Sequence, residues 1–297
     1  PHNYDAWDVN IYYARKHWDV DDVVSAEVVA KGPVVGVVRV KYAYLDSTIE
    51  QDIMLYAGLN RIDFKTTADF REKQYLLKAH FPVDVMYNEA TFDIQYGNLK
   101  RGTTKNTSWD VARFEVCAHK WVDVSEDGFG FSLMNDCKYG HSVDEDSVAL
   151  TLLKTSTSPN EAADQEVHRL TYAIMPHADG WREAGTPDAA YMLNVPVTTS
   201  AGAGDGPARG AFLSVSDRDI VIESVKGAQD GEGYIVRLYE NHGRRLLGAK
   251  LTLGAAFRSV EECDLLERKV ADVNPDGNAV TFELKPYEIK SFRVRCG

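Results

Sequence analysis

Cysteine is scarce in this chain. Four occur in 297 residues, Cys117, Cys137, Cys263 and Cys296, and no C-x-x-C pair or finger spacing links any of them. That spacing excludes a zinc finger and reads as reduced thiols in a cytosol, two of them expected in strands. Long apolar runs are missing as well, none approaching the roughly 20 residues that a membrane-crossing helix needs. Positive charge is in deficit: 33 Lys and Arg stand against 45 Asp and Glu, for a net charge of −12 and a pI near 5.1. Nucleic acid and anionic membrane surfaces both need a basic patch, so both are excluded as partners. A neutral or cationic partner fits better, and a sugar is neutral.

The familiar catalytic spacings are also lacking. The eight histidines, at 2, 17, 80, 119, 141, 168, 177 and 242, include no H-x-x-x-H or H-E-x-x-H pair, so no metal ligand set can be read. There is no G-x-S-x-G elbow, no Gly-rich phosphate loop and no kinase signature. A carboxylate pair of the glycosidase kind cannot be selected from 45 acidic residues by sequence alone. No catalytic residue and no metal ligand is therefore assigned within the chain.

What is present is strand chemistry in a chain that is 44% hydrophobic and 26% charged. Val34–Tyr42 is rich in β-branched residues, and Thr91–Lys100 alternates with Phe92, Ile94 and Tyr96 on one side. Further strands are expected at Arg61–Phe70, Leu76–His80, Phe114–Val124, Val148–Thr155, Arg169–Met175 and Tyr191–Val197. The one helical pattern, Pro159–Glu166, is polar enough to be a loop turn. Thr198–Pro207, with three Gly and a Pro, reads as a linker. Beyond it, short strands are expected at Phe212–Val215, Ile220–Val225, Tyr234–Tyr239, Lys250–Leu253, Val260–Leu266, Val280–Leu284 and Ile289–Val294. About seven strands in about 90 residues is the signature of a β-sandwich. The fold class is all-β, a large two-sheet sandwich followed by a small one.

The densest segment is Asn106–Lys120. Taking Phe114 onward as one extended strand puts Phe114, Val116 and Ala118 on one face and Arg113, Glu115, Cys117, His119 and Trp121 on the other. Sugars are bound by that second mix, because charged planar groups hydrogen-bond hydroxyl pairs and aromatic rings pack on C–H faces. Arg113 and His119 are the first candidates for touching sugar, followed by Trp109 and Asp110. The plainer alternative pairs Arg113 and Glu115 with neighbouring strands, lets Trp109 and Trp121 fill a sandwich edge, and makes Asp110 a backbone cap. His168 and His177, at the ends of one strand, read as hydrogen-bonded structural residues.

These residues, in order, resemble the C-terminal half of the family 38 glycoside hydrolases, the α-mannosidases, and most nearly their bacterial, vacuolar and cytosolic branch. The resemblance is carried by Asp5-Ala6-Trp7-Asp8, Leu76-Leu77-Lys78, Gln95-Tyr96-Gly97 and Arg101-Gly102-Thr103. It continues through Asn106-Thr107-Ser108-Trp109-Asp110, Arg113-Phe114-Glu115-Val116, His119-Lys120-Trp121 and Leu133–Gly140, to Pro176-His177 and Leu193-Asn194. A fainter trace runs on at Arg237–Glu240 and Lys285–Lys290. One departure is Arg101-Gly102-Thr103-Thr104, where the branch commonly has Arg-Pro-Thr-His.

The resemblance implies a galactose-mutarotase-like supersandwich over 1–200, a linker at 201–210 and a C-terminal β-sandwich over 211–297. It implies exo-acting, retaining hydrolysis of α-mannosides in a longer enzyme. There the nucleophile and a divalent metal, usually zinc, belong to a preceding catalytic domain. The chain's expected partners are that domain and a mannose-containing glycan, with a homo-oligomer as a further assembly and the cytoplasm as its place. Its start at Pro1 reads as an internal cut. Two alternatives stand beside this reading: a free-standing carbohydrate-binding module, and a mutarotase-like epimerase with a His acid and a Glu base.

Overall fold

The computed structural model describes residues 5–202 and 210–297, so residues 203–209 of the expected linker lie outside the described residues. Two units are present, Pro1–Ile94 with Leu99–Val197, and Thr198–Gly297 with Gln95–Asn98. The strands of the first are β1 (Asp22–Lys31), β2 (Val35–Tyr44), β3 (Ser47–Tyr56), β4 (Ile62–Asp69), β5 (Leu76–Pro82), β6 (Glu89–Ile94) and β7 (Gly97–Gly102). Then come β8 (Val116–Cys117), β9 (Trp121–Glu126), β10 (Phe129–Asn135), β11 (Gly140–Val143), β12 (Ser147–Lys154) and β13 (Val167–His177). The helices are short: a 3-10 turn at Ile11–Arg15, α1 (Ser108–Val111), α2 (Trp181–Ala184) and α3 (Thr186–Asn194). Among the described residues no helix is long and apolar enough to cross a membrane.

These strands make two facing sheets. One has nine strands in the order β1-β2-β3-β4-β13-β10-β9-β6-β7, the other four in the order β5-β12-β11-β8. Alternation decides what lies between them. Phe92, Val122, Val124, Leu133, Leu170 and Tyr172 from the large sheet meet Ala79, Val148, Leu150 and Leu152 from the small one. Phe64 stacks on Tyr172 with centroids 5.0 Å apart. The other face of the large sheet carries Trp121, Met134, Ala173 and Met175, and α2 and α3 cover it with Trp181 and Ala190.

The second unit contains β14 (Leu213–Val215), β15 (Ile220–Gly227), β16 (Tyr234–Glu240), β17 (Leu246–Leu253), β18 (Phe257–Cys263), β19 (Lys269–Val273), β20 (Ala279–Leu284) and β21 (Ile289–Cys296). They form a three-stranded sheet, β14-β17-β20, and a five-stranded sheet, β15-β16-β21-β18-β19. A core of Val236, Leu238, Leu251, Val280, Leu284, Phe292 and Val294 fills the space between. The protein is all-β, as the recurring strand patterns of its sequence imply.

Four expected strands are corrected. Thr91–Lys100 is a hairpin, β6 and β7, because Tyr96 turns the chain at φ 58 and a tight turn can preserve period two. Phe114–Val124 is broken, since β8 belongs to the small sheet and β9 to the large one. Tyr191–Val197 is largely the end of α3, where Ala189, Ala190 and Leu193 recur at helical spacing and pack on the large sheet. Val260–Leu266 stops at Cys263, after which Asp264 accepts from the N–H groups of Leu266 and Arg268 and forms a turn.

Candidate functional site

The segment that carries the sugar-type residues folds around a cap. Thr107 Oγ1 accepts from Asp110 N–H at 3.2 Å, and Asp110 Oδ2 accepts from Thr107 N–H at 2.9 Å. This reciprocal capping box makes the single turn α1, so the Asp110 carboxylate is committed to backbone. Trp109 stands on that turn 77% exposed. Arg113 follows it at the surface, with Asp110 Oδ1 3.9 Å away. His119 lies in the crossing from β8 to β9, its ring edge-on to Tyr139 at 5.2 Å. Its backbone is fixed by Asp93 O at 3.1 Å and by Asn135 Nδ2 at 2.8 Å.

The five residues expected on one face do not share it. Trp121 is 2% exposed and packs on Trp181 with centroids 5.1 Å apart. Glu115 turns inward to Lys78 on β5, with Nζ 2.5 Å from Oε2, and pairs with a neighbouring strand as the plainer alternative holds. Lys78 also donates to Ser142 Oγ at 2.9 Å, and Thr151 Oγ1 donates to Glu115 Oε1. Tyr13 OH reaches Glu115 Oε2 at 3.4 Å, which ties the 3-10 turn to the small sheet. Burial and then the Glu115 charge push the Tyr13 phenol up to about 12. Gly140 leaves room for this carboxylate, since a Cβ there would stand 2.8 Å from Glu115 Oε1.

Arg101 is the member that sequence reasoning passed over. Its guanidinium lies 4.5 Å from the Phe92 ring centroid, and Nη2 donates to Cys117 O at 3.1 Å. Nη1 is buried and has no hydrogen-bond partner among the described residues. Burial first, and then the charge of Arg113, push its pKa below the usual range. Arg101 and Arg113 thus make an electropositive spot, with the Arg101 Nη1 donor enclosed behind it. The available signal was the Arg101-Gly102-Thr103 motif, whose neighbour Thr103 is 6% exposed and donates its N–H to Asn88 O.

A second polar group resembles a hydrolytic triad and is not one. His177 Nε2 is 2.8 Å from Asp123 Oδ2 and 3.1 Å from Ser132 Oγ. A relay needs the acid on one ring nitrogen and the hydroxyl on the other, whereas here both meet Nε2. His177 Nδ1 faces Ala178 O at 3.3 Å. The side chains of His177 and Asp123 are 3% and 1% exposed, out of substrate's reach. Burial opposes the imidazolium, but the Asp123 hydrogen bond and charge outweigh it and raise the pKa. Ser132 Oγ lies 2.7 Å from Thr186 Oγ1, so the group anchors α3 to the sheet. Gly130 is required beside it, because a Cβ there would come 2.3 Å from His177 Cε1. His168 Nε2 lies 2.7 Å from Asp164 O. Among the described residues, none of His119, His168 or His177 is hydrogen-bonded to a glutamate.

For a metal, the described residues offer one group, Asp219, Glu240 and His242, with ligand atoms within 4.8 Å of one another. It fits a catalytic ion poorly. Glu240 Oε1 accepts from His242 N–H, and Oε2 accepts from the N–H groups of Gly243 and Tyr287. His242 Nδ1 lies between Asp219 Oδ1 and Asn241 Oδ1. These atoms are taken up in hydrogen bonds that organise a turn.

Residues 1–162 match the family described as glycosyl hydrolases family 38 C-terminal domain, and residues 219–292 match that family's C-terminal beta sandwich domain. The chain is 36% identical to Alpha-mannosidase 2C1 of Homo sapiens and 33% identical to Alpha-mannosidase G of Dictyostelium discoideum, with 98% of the chain aligned in each case. It spans 29% and 28% of the lengths of those two proteins. An alpha-mannosidase structure from Enterococcus faecalis V583 shares the fold, with a TM-score of 0.73 over 92% of this chain and 35% of that one, at 18% identity. The chain therefore belongs to family 38 of the glycosyl hydrolases, whose C-terminal β region it carries.

Proposed function

We propose that the chain serves as the C-terminal β part of a longer, cytoplasmic α-mannosidase, where it supports the catalytic part and lends one wall to the sugar site. The observation that carries this is the alignment with Alpha-mannosidase 2C1, which covers 98% of the chain yet only 29% of that protein. On this reading the nucleophile and a divalent metal, zinc, belong to the remainder of the enzyme, and hydrolysis of α-mannosides belongs to the whole. The wall is built from Arg101 and Arg113 as cationic donors, His119 beside them, and Trp109 as an exposed plane for sugar C–H groups. Asp110 acts through its cap, by holding the turn from which Trp109 and Arg113 project.

A single wall encloses little of a sugar, so binding by the chain alone is expected to be negligible. Calorimetric titration with mannose and with α-mannobiose should give heats of dilution only. A saturable isotherm with either sugar would overturn the scaffold reading and favour a free-standing carbohydrate-binding module.

A further inference from the structure

Between Cys117, the end of β8, and Trp121, the start of β9, the chain leaves one sheet and enters the other, so the peptide groups of residues 118–120 lie outside both ladders. Residues of other elements take them up. Ala118 N–H donates to Tyr139 O at 3.0 Å, and His119 N–H donates to Asp93 O at 3.1 Å. Lys120 N–H donates to Asp93 Oδ2 at 2.8 Å, and Lys120 O accepts from Asn135 N–H at 3.0 Å. His119 O is met by a side chain, with Asn135 Nδ2 donating to it at 2.8 Å.

Asn135 ends β10 and is 2% exposed. Its carboxamide is engaged at both atoms: while Nδ2 donates to His119 O, Oδ1 accepts from Lys138 N–H at 2.6 Å. The second bond closes the turn that leads to Tyr139, whose ring stands edge-on to the His119 imidazole. One planar group therefore fixes both the backbone from which the imidazole projects and the turn that carries the ring beside it. α3 holds this residue in its place, because Asn194 Nδ2 donates to Asn135 O at 2.9 Å. A buried position with a carbonyl on one side and an N–H on the other suits a carboxamide, which offers a donor and an acceptor at once. A carboxylate there would set oxygen against the His119 carbonyl, and an aliphatic side chain would leave both groups unpaired. His119, by contrast, is only half-buried, as a side chain that meets a ligand must be.

We infer that Asn135 is a positioning residue for α-mannoside hydrolysis, holding the His119 imidazole where it meets the sugar. This rests on the reading above, in which His119 belongs to the sugar wall of a longer enzyme. The test is a double-mutant cycle on kcat/KM for 4-nitrophenyl α-mannoside in that longer enzyme. His119→Ala should lower kcat/KM about ten-fold, the worth of one polar contact to substrate. Asn135→Asp should also lower it about ten-fold, by displacing the imidazole. In the His119→Ala background the same change should cost less than about two-fold, since no imidazole is left to misplace. A residue that only supports the fold would cost as much in both backgrounds. Where Asn135→Asp fails to fold, Asn135→Ser should show the same dependence on His119 with a smaller loss. Equal losses in both backgrounds, or no loss where His119 is present, would overturn the inference and leave the sugar wall standing. An unchanged kcat/KM in His119→Ala alone would instead remove His119 from the wall, and the inference with it.

Discussion

Glu115→Gln is expected to destabilise the first unit by about 3 kcal/mol, because it leaves the Lys78 ammonium in the sandwich without its counter-charge. The side chains of Lys78 and Glu115 are only 14% and 10% exposed, so water compensates little. Residual contacts with Ser142 Oγ and Tyr13 OH keep the loss at the lower end of what breaking a buried pair costs. The double variant Lys78→Met/Glu115→Gln should lose less than the single one, since no charge is then stranded. Urea unfolding followed by tryptophan fluorescence measures this in the first unit, which contains all five tryptophans, Trp7, Trp18, Trp109, Trp121 and Trp181. Equal or greater loss in the double variant would mean that shape, and not charge, sets the cost.

The second large effect is acid lability from His141. Its ring is fully buried on β11, with Nδ1 3.0 Å from Tyr139 O and no partner for Nε2 among the described residues. Burial, and behind it the charges of Lys78, Arg101 and His119, push its pKa from 6.5 down to about 4. A ring that resists protonation in the fold contributes stability that is complete above pH 6.5 and lost as pH falls from there through about 4. That gap corresponds to about 3 kcal/mol. His177 has the opposite sign: its raised pKa gives stability that is present in acid and lost as pH climbs through the folded value. The acid loss between pH 6.5 and 4 is therefore assigned to His141. His141→Phe should flatten it, as read from urea midpoints at a series of pH values. An unchanged acid slope would assign the loss to the carboxylates.

The legible parts of this fold were those where local pattern and global role agree. Val35–Tyr44 is β-branched and forms a ten-residue strand, and the even spacing of apolar runs after residue 210 forms a small sandwich. Glu115 was hidden for a physical reason. Alternation records only that neighbours point opposite ways, and it continues undisturbed where the chain leaves β8 in one sheet and enters β9 in the other. α3 was missed because Tyr191–Val197 samples its last turn and omits Ala189 and Ala190, which carry the helical spacing. At the candidate site, Trp109 and Arg113 were legible as sugar-type side chains. The orphaned Nη1 of Arg101 was not, since burial of one guanidinium nitrogen depends on Phe92 and Cys117 arriving from other strands.

We propose that the chain, as the supporting part of an α-mannosidase, depends on the rest of the enzyme for chemistry. Hydrolysis of 4-nitrophenyl α-mannoside by the purified 297-residue chain, with and without added zinc, tests it most directly. The expected result is no release of nitrophenol above the uncatalysed rate in either condition. Zinc-dependent release by the chain alone would contradict the account, and would place a nucleophile and a metal site within these two β units.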